Sequence, residues 1–334
     1  MTVEQIEEAC AGGAPPHFES YLNDAPALTI AQTFYPLGFP LEIRTNSAEV
    51  LRQSELKWGM FARRFDSEPI IADIHVVESD LATCPPIPVY RFFDGQMVMV
   101  ADPANFCTAT FPNGRTRMMV STAALRHPNY FRQIFLDSAA ACQIGTRFTT
   151  GVHAGCVALE GRGVLLCGDS GAGKTSLSWA CARAGWDFLS DDTSYMIHGQ
   201  SDRMVIGNCH QVRFRPSATE LFPEIAGNDI TPRIFGRPSI EVPTASMSHI
   251  CRRESVRVDF IVFLNRRTPE VELRPYRKDV ARCYMQQWLF GNREAKAVHY
   301  AAIERLLTAE VLELRYQCLD WAVQRLEQMV REDG

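Results

Sequence analysis

The sequence has no uncharged apolar run approaching the ~18 residues a bilayer span requires. Its opening stretch, MTVEQIEEAC, is acidic and holds no signal-peptide core. Neither a membrane span nor export is expected, and the reading is a soluble, cytoplasmic chain without a membrane partner. No two cysteines form a C-x-x-C pair. The 11 present are scattered, and Cys156, Cys167 and Cys181 fall inside apolar runs, where a reduced thiol packs as a small hydrophobe. That distribution argues against a disulfide framework and against structural zinc. A basic excess is missing too. A net charge of -5 and a pI near 5.9 give no general attraction for nucleic acid, so any anion binding must be local. Internal repeats and low-complexity segments are absent. What is present is 334 residues at 46% hydrophobic and 22% charged, enough for a substantial core and for two domains.

Taken in order, residues 1 to about 20 read as a loose leader broken by Gly12, Gly13, Pro15 and Pro16. From Ala27 the pattern turns to strands (ALTIAQTF, PLEIRT). A helix over about 48–63 follows, with Asn46-Ser47 as its cap, and then strand IIADIHVV at 70–77. VYRFF and QMVMV flank Asp94-Gly95, and FCTATF and RTRMMVS flank Asn113-Gly114, two hairpin signals. The expected division is a small α+β domain over 1–128, governing acceptor choice or assembly, and a second domain over 129–334. The second opens with the apolar helix NYFRQIFLDSAAACQ. Strands at 152–159, 163–167 and 186–190 follow, then a Pro- and Arg-rich loop region at 213–253. Strands at 256–264 and 271–275, helices at 276–290 and 294–307, a strand at 310–315 and a last helix to 331 complete it.

The most informative stretch is Gly168-Asp169-Ser170-Gly171-Ala172-Gly173-Lys174-Thr175. It fits G-x-x-x-x-G-K-[ST], in which backbone N–H groups cradle phosphates, the lysine reaches the β and γ phosphates and the Ser/Thr hydroxyl ligates Mg²⁺. The run GVLLC before it suits a buried strand. Leu177, Ala180, Cys181 and Ala184 after it keep helical spacing, and Gly185 supplies the stop. The loop thus meets a helix N-terminus, where unpaired N–H groups and the dipole favour an anion. Residues 168 to 175 together with Ser176 form the candidate nucleotide-binding set.

Asp191-Asp192 ends the next strand, where ligands collect in open α/β sheets. Adjacent strand side chains point to opposite faces, so one carboxylate can serve Mg²⁺ and the other can accept a proton from a hydroxyl. His153 lies fifteen residues before Gly168 on the neighbouring strand. Phosphoryl transfer usually needs a further cation. Of Arg213, Arg215, Arg233 and Arg237 in the Pro-rich region, Arg237 is preferred and Arg213 is next.

The run HAGCVALEGRGVLLCGDSGAGKTSLSWACARAGWDFLSDD resembles the catalytic core of the HPr kinase/phosphorylase family, which shares its nucleotide-binding fold with phosphoenolpyruvate carboxykinase. The resemblance implies an HPr-kinase-like P-loop domain binding ATP and Mg²⁺ through Lys174, Thr175 and the acidic pair, with Asp191 as general base, Asp192 linked to the metal and His153 beside the phosphates. Residues 200–250 lack the Gly-rich signature used to contact HPr, so the implied core does not carry HPr with it as acceptor. The expectation is an α/β protein, a kinase acting on a hydroxyl of a peptide, a protein or a small metabolite, with a homo-oligomer compatible. The alternatives are a nucleotide-gated binding module and the reverse, phosphate-dependent dephosphorylation.

Overall fold

The computed structural model describes residues 1–15, 18–200, 202–287, 289 and 291–332. The chain is a mixed α/β protein whose residues cluster into two compact units. One is Met1–Phe148 with Arg233–Gly236 and Gly291–Ala295. The other is Thr149–Pro232 with Arg237–Phe290 and Lys296–Gly334. The expected division falls at 128/129, whereas the units divide at 148/149.

In the first unit the leader is ordered, contrary to the sequence reading. Helix α1 (Val3–Gly12) is closed at its start by a capping box, Thr2 N–H donating to Gln5 Oε1 at 2.8 Å and Gln5 N–H to Thr2 Oγ1 at 3.3 Å. Its buried Ile6 packs with Phe18, Val98 and Phe106. Pro16 lies outside the described residues. Strands β1 (Ile30–Phe34), β2 (Leu41–Thr45), β3 (Ile70–Val77), β4 (Val89–Phe93), β5 (Gln96–Asp102), β6 (Asn105–Thr110) and β7 (Arg115–Ser121) form one sheet, in the order β1-β2-β3-β7-β6-β5-β4. Both hairpins form, with Gly95 and Gly114 at their turns. Helix α2 (Ala48–Trp58) stops short of the predicted 63, and its predicted cap is replaced. Ser47 makes no side-chain cap bond, while the Asn46 amide exchanges two hydrogen bonds with the Val76 backbone at 2.8 and 2.9 Å, adding a rung to β3. Beyond α3 (Thr122–Leu125) and α4 (Pro128–Phe131), a π-helical turn at Arg132–Leu136 leads into α5 (Asp137–Arg147). Helix α5 packs on β3 and β6, which is why this stretch belongs to the first unit.

The second unit holds β8 (Thr149–Val152), β9 (Ala154–Leu159), β10 (Arg162–Cys167), α6 (Lys174–Arg183), β11 (Asp187–Ser190), β12 (Ser194–Ile197) and β13 (Met204–Gly207). Then come β14 (Gln211–Phe214), β15 (Ile230–Thr231), β16 (Ser239–Pro243), β17 (Ser255–Asn265), β18 (Glu272–Pro275) and α7 (Lys278–Gln286). Helix α8 (Arg293–Leu306), β19 (Glu310–Arg315) and α9 (Leu319–Glu332) follow. The end of the predicted helix at 288 and 290 lies outside the described residues. Strands β10, β17 and β19 run parallel, and β9 is antiparallel to both β10 and β11. The apolar run of β10 is buried on both faces: Val164 and Leu166 meet Leu177 of α6 and Leu326 of α9, while Leu165 and Cys167 join the cluster of Met285 from α7 and Ile303 from α8. The Pro- and Arg-rich region, expected as loops, forms a three-stranded sheet in the order β14-β16-β15. Val212 and Phe214 alternate with Arg213 and Arg215, and pack with Ile240, Val242 and Trp179 in a separate cluster. Among the described residues, no helix is long and apolar enough to cross a membrane.

Candidate active site

The C-terminal end of β10 delivers Cys167 to Gly168, and the chain turns through a loop into α6, whose first residue is Lys174. This turn needs glycine. Gly168, Gly171 and Gly173 sit at φ 146°, 92° and 103°, and a Cβ on Gly173 would stand 2.5 Å from Tyr316 Oη. Asp169, Ser170 and Gly171 are exposed, Gly168 is buried, and Ala172, Gly173, Thr175 and Ser176 are half-buried. Gly173 is the N-cap and supplies no side-chain cap bond, so the first-turn N–H groups of α6 have no capping side chain.

Lys174 is buried at 5% relative exposure. Its ammonium donates to Gly168 O at 2.8 Å and to His153 Nε2 at 3.0 Å, and lies 3.6 Å from Asp192 Oδ1. An ammonium has no lone pair, so Nε2 must accept. That fixes a neutral His153 with its proton on Nδ1, which faces Asp192 Oδ1 at 3.6 Å. Burial pulls the His153 pKa down and Lys174 adds to this, with Asp192 opposing. Burial also lowers Lys174, again opposed by Asp192. His153 occupies the break between β8 and β9, not the interior of the single strand predicted at 152–159.

The two aspartates have different partners. Asp192 is exposed and faces Lys174 and His153, while Asp191 turns to β14 and accepts the Arg213 N–H at 3.0 Å. Burial raises the Asp191 carboxyl to about 6, the Arg213 N–H opposing and the charge of Asp192 adding; the residue as a whole keeps partial solvent access. The acidic turn sits close against β9. A Cβ on Gly155 would come within 3.0 Å of Asp191 O and would also strike Ser178 of α6.

Among the arginines, Arg237 is exposed and makes no hydrogen bond or ion pair with the loop or the acidic pair among the described residues. Arg213 contributes its backbone N–H, its guanidinium lying 3.7 Å from Glu241. Arg215 instead reaches the loop, donating from Nη2 to Ser170 Oγ at 2.6 Å. Arg267, just past β17, lies 3.5 Å from Asp169 across a highly exposed pair. Two tyrosines escaped the sequence reading. The hydroxyl of the half-buried Tyr284 on α7 accepts the Gly168 N–H at 3.1 Å and lies within donating distance of His153 O (2.7 Å) and Gly168 O (2.8 Å), so it ties the loop's first residue to the turn carrying His153. Tyr316 Oη, beyond β19, donates to Ala172 O at 3.3 Å. No local pattern marks either tyrosine. Arg215, one of the four arginines named from sequence, could have been preferred from its alternation with Val212 and Phe214.

No family model and no curated protein matches this chain. Among solved structures it is similar to the Hpr(Ser) kinase/phosphatase from Coxiella burnetii, with 13% identity over 55% of this chain and 99% of that chain, at a TM-score of 0.29. A likeness so remote carries no functional inference, and what this chain does must come from its own residues.

Proposed function

We propose that the chain is an ATP-dependent phosphotransferase of the HPr-kinase-like kind, moving the γ-phosphoryl group of ATP to a hydroxyl of a peptide, a protein or a small metabolite. The observation that carries this reading is the convergence of the buried Lys174, His153 and the Asp192 carboxylate at one glycine-rich turn, with the Asp191 carboxyl, raised to about 6, next along the chain and held by β14. A purely structural turn has no use for a buried ammonium or for a neighbouring carboxyl tuned toward neutrality.

In the proposed reaction the bond between the γ-phosphorus and its bridging oxygen breaks and its electron pair leaves with ADP. A bond forms from the acceptor oxygen to phosphorus, and the acceptor's proton passes to Asp191, then to water. Lys174 and the N–H groups of the loop hold the phosphates. Tyr284 keeps Gly168 and the His153 turn in register. Thr175 and Asp192 are the residues that would hold Mg²⁺. Asp192 is exposed beside Lys174 and Thr175 stands in the first turn of α6, a hydroxyl and a carboxylate that suit a nucleotide-borne Mg²⁺, which takes only one or two protein oxygens. When bound, the ion neutralises phosphate charge.

A second reading, a nucleotide-gated module with little chemistry, draws on one contact. Lys174 is engaged by the loop's own Gly168 O, so an arriving phosphate must re-aim it. Incubation with γ-³²P-ATP and pools of peptide and small hydroxylated acceptors separates the two. Label transfer by the wild type, together with loss of Mg·ATP binding in Lys174→Ala by calorimetry, is the expected result. ATP binding without transfer to any hydroxyl would leave the module as the better account, and undiminished affinity in Lys174→Ala would remove the nucleotide site altogether.

A further inference from the structure

We infer that Arg215 is the cation that engages the terminal phosphate of a bound nucleoside triphosphate and distinguishes it from the diphosphate. The inference rests on the nucleotide reading of the loop and adds a residue to it. Lys174 approaches the loop from inside, buried and bonded to Gly168 O. Arg215 approaches from the exposed side, at Ser170 and Gly171. Its Nη2 donates to Ser170 Oγ at 2.6 Å, and its Nη1 lies 3.7 Å from where a Cβ on Gly171 would be, so the guanidinium rests on the exposed apex of the turn. A hydroxyl accepts one of the five N–H donors of a guanidinium. The fork geometry is suited to the oxygens of a phosphate, a far stronger acceptor than a serine.

The position of Arg215 along the chain supports a role in the reaction beyond holding the loop. Residues 213 and 215 flank Phe214 at the end of β14, and Phe214 is fixed by its edge-to-face contact with Trp179 of α6, ring centroids 5.5 Å apart. Two residues apart, the backbone of β14 binds Asp191 through the Arg213 N–H and its end sends a guanidinium to the loop. One short strand, anchored on the helix that carries Lys174, therefore links the proposed base to a cation at the phosphate rim. As negative charge spreads over the transferring oxygens, a donor held there lowers the barrier. Arg237, the arginine favoured from sequence, has no such connection.

The test compares wild type, Arg215→Ala and Arg215→Lys in the full chain, with Mg·ATP and Mg·ADP affinities by calorimetry and label transfer measured beside them. Arg215→Ala is expected to weaken ATP binding by about tenfold or more while leaving ADP nearly unchanged. Turnover should fall by about a hundredfold or more, with partial rescue by millimolar guanidinium. Arg215→Lys should keep part of the ATP preference and controls for folding. Equal loss of ATP and ADP affinity without rescue would mean that Arg215 only shapes the loop, and an unchanged ATP-to-ADP ratio would likewise overturn the inference. Because that ratio needs no catalysis, it judges Arg215 even if the wild type transfers no label, an outcome that would sink the kinase reading alone.

Discussion

At the scale of single residues, the acidic pair gives the sharpest expectation, because two adjacent aspartates have been put in unlike surroundings. Asp191, raised from an ordinary 3.8 to about 6, is protonated in acid and free to take a proton only as the pH passes that value. Turnover should therefore rise with pH through about 6 in the wild type. Asp191→Asn should flatten that profile and lower turnover by roughly 10²- to 10⁴-fold, with little change in Mg·ATP affinity. Stability should move the other way. The folded-state pKa lies above the unfolded one, so the stabilisation tied to this carboxyl is complete below pH 3.8 and is lost as the pH climbs through about 6. An Asn variant, unable to ionise, should melt above the wild type at pH 7.5 and lose that advantage at pH 4; a deficit at pH 7.5 would mean that the carboxylate stabilises the turn. On the proposed function, Asp192→Asn should instead raise the Mg²⁺ concentration needed for half-maximal nucleotide binding, since Asp192 faces Lys174. Exchange of the two phenotypes would reverse the assignment within the pair.

At the scale of elements, legibility followed how local each cause is. The loop, its strand and its helix could be read because glycine spacing and a continuous apolar run are local signals. The two hairpins were legible for the same reason, through Asp94-Gly95 and Asn113-Gly114. Helix α1 is equally local, its Thr2 and Gln5 spelling a capping box, but the glycines and prolines at 12–16 sit so close that the whole segment has the composition of a loop. In 213–253, proline and arginine hid a period-two alternation. The side chain of Asn46 was bound by a strand thirty residues away, and no cap rule anticipates that. Tyr284 is the extreme case: α7 begins more than a hundred residues after Gly168, and only the fold brings its hydroxyl to the loop. Tyr284→Phe keeps the ring packed on Phe263 and removes only the oxygen. It leaves the Gly168 N–H without its acceptor, which should cost about 1–3 kcal/mol of stability and weaken Mg·ATP binding by roughly tenfold. Thermal melts and calorimetry on that one variant decide it, and unchanged values in both would show that water replaces the hydroxyl at no cost.

At the scale of the whole chain, the division of residues between the two units makes a prediction about where the protein can be cut. Lys174, His153, the acidic pair, Arg215 and Tyr284 all belong to the second unit, so a fragment beginning at 149 should bind Mg·ATP. A fragment beginning at 129 would also carry the π-helical turn and α5, whose buried Ile134, Phe135, Ala139 and Ile144 would lose their cover once β3 and β6, on which α5 packs, were gone. It should aggregate where the shorter one stays soluble. The shorter fragment has a defect of its own. Residues 233–236 and 291–295 cluster with the first unit: Ile234 N–H donates to Gln133 at 3.0 Å, Phe235 lies 6.4 Å from Tyr90 between ring centroids, and Asn292 donates to Asp94 at 2.9 Å. All three partners are removed by a cut at 149. Limited proteolysis should therefore nick the fragment at 233–236 and 291–295, while the full chain resists at both places. Nucleotide affinity should stay within a few-fold of the full chain, because the candidate site residues all belong to the second unit. A soluble, compact fragment 149–334 that fails to bind ATP would show that the first unit is needed to form the nucleotide site, and the assignment of acceptor choice or assembly to the N-terminal region would have to be abandoned.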